Sequence, residues 1–166
     1  MPGEMIESGW LRFGGVDQGP EENTMEERFA GAWRLAAYEL EGDDGKITQP
    51  YGEKPEGMLM YDAEGHMAVQ IMRPGTAPFA ANDRWLGTDE ELRAAFEGYI
   101  AYYGRYTVDT DRREVTHHVE GSVFPNYIGR RLVRYYEIGE GRLTLSTPPM
   151  PFGGSPGVGR LVWVRA

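Results

Sequence analysis

The sequence predicts an all-β fold, an eight-stranded antiparallel up-and-down barrel carrying one α-helix over about residues 88–103 at the barrel end or wall. Three observations lead there. Gly31-Ala32-Trp33 opens the first strongly apolar strand after a polar leader. Short segments of alternating character follow it, divided by turn residues. Gly 23 and Pro 11 among 166 residues is high for a helical protein and natural for strands joined by turns. Closure of so many strands into a barrel removes both exposed edges of the sheet. A closed barrel of this kind encloses something.

The elements read in order. Residues 1–26 form a leader in which Gly14, Gly15, Gly19 and Pro20 break any periodicity, and Trp10, Leu11 and Phe13 are its apolar content. It is expected to be a flexible tail or a lid over the barrel mouth. Residues 27–166 form one domain, of a length that buries a sizeable core. A strand over 30–41 ends at Gly42-Asp43-Asp44-Gly45. Strands 58–61 and 67–72 flank Asp62-Ala63-Glu64-Gly65 as a hairpin. Strands follow at 105–108 and 114–121 around Asp109-Thr110-Asp111, at 130–138 and 142–146 around Gly139-Glu140-Gly141, and at 160–165. The helix is marked by Thr88 with Glu91 three residues on, a capping box, and by Asp89 and Glu90 at its positive end. Leu92, Ala95, Phe96, Tyr99, Ile100 and Tyr103 continue at helical spacing and read as a core-facing stripe.

Composition excludes several classes of function. Lys+Arg 17 against Asp+Glu 26 gives a net charge of −9, a poor match to nucleic acid or to an anionic membrane surface. The absence of cysteine removes disulfides, thiolate catalysis and cysteine-ligated zinc. The leader has no apolar run of signal-peptide length and no stretch reaches that of a membrane span, so a cytoplasmic protein is expected. Composition leaves an oligomer open.

Strand alternation ranks the side chains that face inward. On 114–121, Val115, His117 and Val119 share the apolar face; on 130–138, Leu132, Arg134, Tyr136 and Ile138 do. If the link through Phe124-Pro125-Asn126 keeps these strands adjacent, His117 comes near Arg134 inside and Glu120 near Arg131 outside. Tyr106, Val108, Leu143, Leu145, Met67, Val69 and Ile71 turn inward by the same test. A buried arginine must meet a carboxylate, several carbonyls, waters or a ligand oxygen, because an unpaired buried charge costs several kcal/mol. Beside it the His117 imidazole tends to stay neutral, the state a general base needs.

Other motifs are weaker. His117, His118 and Glu120 suggest a metal, but adjacent strand residues face opposite ways and His66 lies on another strand, so no metal site is expected. Gly154 to Arg160 echoes a phosphate loop without its Lys-Ser/Thr ending or a following helix, and reads as a flexible loop into the last strand. No G-x-S-x-G elbow exists.

Gly31-Ala32-Trp33-Arg34-Leu35 with Tyr38-Glu39-Leu40, Gly57 to Tyr61 with Gly65-His66-Met67, Val115 to Ser122, Phe124-Pro125-Asn126, Gly129, and Leu143 to Pro149 carry a resemblance. Over about residues 29–165 the chain resembles the bacterial and fungal lipocalin-like domain proteins of the wider calycin group. The resemblance implies an eight-stranded barrel with a cavity for a small, largely apolar molecule. It also implies that Trp33 plugs the closed end under an arginine of the last strand, Arg165 or Arg160. Barrels of related shape serve natural-product pathways by folding a reactive chain and cyclising it without cofactor.

The expected function is therefore binding of a small hydrophobic molecule that carries an oxygen function. Its ligand-binding residues are Tyr106, His117, Val119, Leu132, Arg134, Tyr136, Met67 and Val69, and no cofactor takes part. A catalytic version is a cofactor-free cyclase or isomerase of a polyketide- or terpene-like pathway, with His117 and Arg134 as the catalytic pair. The alternatives are a carrier, sequestering or sensor protein without chemistry, and a filled, ligandless interaction module whose Trp10 and Phe13 meet a partner.

Overall fold

The computed structural model describes residues 24–166. A short helix α1 (Met25–Phe29) leads into ten strands and a second helix: β1 (Gly31–Gly42), β2 (Ile47–Thr48), β3 (Glu56–Tyr61), β4 (His66–Met72), α2 (Asp89–Glu97), β5 (Tyr99–Asp109), β6 (Glu114–Ser122), β7 (Arg131–Gly139), β8 (Arg142–Ser146), β9 (Met150–Phe152) and β10 (Ser155–Arg165). All pairings are antiparallel. Eight strands run β1-β3-β4-β5-β6-β7-β8-β10, and β10 pairs back on β1 from Trp33↔Arg165 to Gly42↔Gly157, closing the predicted barrel. The two shortest strands lengthen the wall at the mouth, β2 on β1 and β9 on β10.

The closed end is built from the first residues of the domain. Thr24 caps α1 with its hydroxyl on the Glu27 N–H, and the Glu27 carboxylate accepts from the Thr24 N–H at 2.8 Å. This places fully buried Phe29 between Tyr61 and Tyr136, edge-on to both at 5.4 and 5.0 Å. Trp33 donates its indole N–H to the Phe29 carbonyl at 2.8 Å. Of the two candidate arginines it is Arg165 that stacks on Trp33, 3.9 Å from the ring centre, while donating to the Ala30 and Arg28 carbonyls. Gly31 has a reason to be glycine: its φ is +122°, and a Cβ there would lie 2.7 Å from an Arg165 guanidinium nitrogen.

Several local expectations change. Helix α2 stops at Glu97, capped by Gly98, and Tyr99, Ile100 and Tyr103 belong to β5, where they pair with β4. The three- and four-residue spacing of these residues imitates a helix, but β-branched and aromatic side chains suit a strand paired on both sides better. Nor is the helical stripe core: Leu92 and Phe96 are 46% and 48% exposed and face a groove at the mouth shared with Phe79 and Trp85. The stretch read as a loop into the last strand is strand from Ser155 onward. Arg131 pairs with His118, not Glu120, because the β6–β7 register lies two residues from the expected one, setting His117 opposite Leu132 and Val115 opposite Arg134. Trp10 and Phe13, the expected lid residues of the leader, lie outside the described residues. Among the described residues no helix is long and apolar enough to cross a membrane.

Candidate functional site

Above the aromatic plug, the middle and mouth of the barrel keep an internal cavity of about 60 Å³. Its walls are largely aliphatic, with Leu59, Val69, Ile71, Leu145 and Leu161 joined by Trp163; Ile100, Tyr127, Met150 and Phe152 stand toward the mouth. Into this apolar space the strands turn a small polar cluster of Tyr38, Tyr102, His117, Arg134 and Thr147.

His117 is 1% exposed and held from both sides. Its Nε2 lies 2.7 Å from the Tyr61 hydroxyl and its Nδ1 lies 3.0 Å from the Tyr102 hydroxyl. Burial first, then the Arg134 guanidinium and His118, hold its pKa well below the ordinary 6.5, so the imidazole is neutral. Burial likewise raises the phenols of Tyr38, Tyr61 and Tyr102, and Arg134 opposes the rise at each. These hydroxyls stay protonated, and the guanidinium sits among all of them.

Arg134 is 8% exposed; its Nη1 donates to the Val133 carbonyl at 2.8 Å, and its guanidinium also reaches the Tyr102 hydroxyl oxygen. The ion pairs among the described residues are His66–Asp62 and Arg93–Glu97, so no carboxylate answers this guanidinium. A guanidinium carries five N–H donors, and most of its hydrogen-bonding capacity remains unspent. Trp163, on the same cavity wall, leaves a buried indole N–H without an acceptor.

Of the eight residues expected to bind ligand, Val69, His117 and Arg134 line the cavity. Val119 is buried in the core of the wall and Leu132 packs against that core, half-buried. Met67, Tyr106 and Tyr136 lie in the aromatic layer of the closed end, where Tyr106 packs tilted and Tyr136 edge-on against Phe29 and the Tyr106 hydroxyl donates to the Asp62 carbonyl. His66 is bonded to Asp62 and His118 to Thr107, both on the outside of the barrel.

Sequence reasoning missed Tyr38, Tyr61 and Tyr102. Tyr102 shares a strand face with Tyr106, four residues away, and was hidden by extending the helix to 103. Tyr61 sits two residues after Leu59 on β3, an alternation that was there to read. A register shift between Leu35 and Ala37 changes the parity of β1, so Tyr38 points inward against the count from Trp33.

Comparison with known proteins follows the same lines. The chain is 42% identical over 87 residues to the 4'-hydroxy-3'-methoxypropiophenone carrier protein ppsC of Aspergillus oryzae (strain ATCC 42149 / RIB 40), a match spanning 49% of this chain and 78% of the relative. The family model for the lipocalin-like domain matches residues 30–166, the whole of the barrel from the turn before β1 to the last residue. With Trp33 and Arg165 closing one end and a cavity behind them, the chain belongs to the lipocalin-like domain family.

Proposed function

We propose that this barrel binds a small, largely apolar molecule by an acceptor oxygen, and that it works as a carrier. The observation that supports this reading is Arg134, a buried guanidinium with no carboxylate partner beside an unsatisfied indole N–H in an apolar cavity. Buried donors without acceptors are costly, and a ligand carbonyl, enolate or carboxylate supplies what they lack. The Aspergillus relative is named as the carrier of an aryl ketone, a class whose ring suits the aliphatic wall and whose carbonyl suits the donors. The cavity is small against the several hundred Å³ usual for drug-sized ligands, so the oxygen-bearing head enters while the remainder lies at the mouth.

The test uses 4'-hydroxy-3'-methoxypropiophenone as probe in titration calorimetry with the wild type and Arg134→Met. Binding by the wild type that weakens at least about tenfold in the variant supports the reading. Because the variant no longer bears the cost of burying this charge, it is expected to melt at a higher temperature than the wild type in the absence of ligand. Unchanged affinity in Arg134→Met would sink the proposal.

A catalytic version of the site, a cofactor-free isomerase or cyclase, is favoured by one arrangement, the Tyr61–His117–Tyr102 chain. In it Arg134 steadies a developing enolate, and the α-proton passes through the Tyr102 hydroxyl to His117 Nδ1, which in this version carries no hydrogen at rest, and returns to carbon by the same path. Conversion of a bound enolisable ketone, followed as deuterium uptake at its α-carbon, separates this version from a carrier that returns the ketone unchanged.

A further inference from the structure

The two hydrogen bonds of His117 fix which way the polar cluster points. A neutral imidazole has one N–H and one bare nitrogen, so it donates to one of its two tyrosines and accepts from the other. Tyr61 is buried, and its hydroxyl has His117 Nε2 as its hydrogen-bond partner among the described residues. If Nε2 carried the proton, the Tyr61 hydrogen would be left buried with nothing to bond, at a penalty that the opposite tautomer avoids. Tyr61 therefore donates to Nε2, and Nδ1–H donates to the Tyr102 oxygen 3.0 Å away. Tyr102 receives at its oxygen and has no protein acceptor for its own hydrogen among the described residues.

We propose that Tyr102 turns this hydrogen into the cavity, where it and Arg134 together grip a single ligand oxygen, and that His117 is a positioning residue that never touches the ligand. The grip so formed presents two donors to one oxygen. It selects an oxygen with two lone pairs free, a ketone, enolate or phenolate, over an alcohol that must place its own proton. The inference rests on the reading that the cavity receives a ligand, but its first test does not need one.

That test is the tautomer of His117 in the wild-type protein with 15N-labelled histidine, assigned in long-range proton–nitrogen spectra by the signal missing from His117→Gln. The Nδ1–H form is expected; an Nε2–H form overturns the arrangement. The second test measures binding of 4'-hydroxy-3'-methoxypropiophenone and of 2-methoxy-4-propylphenol, the same skeleton without the ketone oxygen. Tyr102→Phe should weaken the ketone about tenfold and leave the deoxo compound unchanged. Equal ketone affinity in wild type and Tyr102→Phe overturns the donor role even if the tautomer is as expected. Failure of the wild type to bind either probe defeats the carrier reading, whereas the tautomer still decides the orientation of the cluster.

Discussion

His117 shows how much a single buried residue carries. The folded protein keeps it neutral, whereas in the unfolded chain it takes up a proton near its ordinary pKa of 6.5. Below that pH the unfolded state binds the extra proton, so stability present above 6.5 is lost as the solution is acidified. The expected slope is up to about 1.4 kcal/mol per pH unit for one proton. Denaturation in urea at a series of pH values checks it: the wild type should weaken from neutral toward pH 5 more steeply than His117→Gln. The outward histidines contribute equally to both proteins, so the difference isolates position 117. Strand alternation brings out His117 and Arg134 in the sequence because each sits mid-strand among apolar neighbours two residues away. Their partners do not appear by that route, since the Tyr61–His117–Tyr102 bridge joins three strands and depends on register.

At the level of elements, the strand pair β5–β6 decides whether this bridge exists. A shift in register between Tyr103 and Gly104 sets Tyr106 opposite His117 and Tyr102 opposite Ser122. Gly104 makes the close approach: a Cβ there would collide with the His118 carbonyl oxygen on the neighbouring strand. Gly104→Ala is expected to destabilise the fold by about 1–3 kcal/mol, read from the urea midpoint, because the backbones must part to admit one methyl group. Loss of ligand affinity should accompany it as Tyr102 drifts from His117. Bulges of this sort are what the sequence conceals. Long strands such as β1 and β7 announce themselves by period, and Thr88 with Glu91 announces the start of α2. The end of α2 is masked by Tyr99, Ile100 and Tyr103, whose spacing suits a helix and whose side chains prefer a sheet.

For the whole molecule, closure was legible from the number of strands and from Gly31-Ala32-Trp33, since an apolar strand that begins on a plug needs a last strand to seal it. Among the described residues, those that close the barrel begin with Thr24, whose hydroxyl starts α1. A chain starting at Thr24 is therefore expected to melt cooperatively at the temperature of the full chain, checked by calorimetry. Ligand affinity that falls while the melting temperature holds would mark the removed residues as the proposed lid. On the carrier reading, the stoppered end also governs traffic. A cylinder blocked at its base has one doorway, so a newcomer waits until the present occupant has left by the route it came. Exchange then runs at the pace of departure however concentrated the incoming molecule, and any handover to another protein takes place at that single threshold.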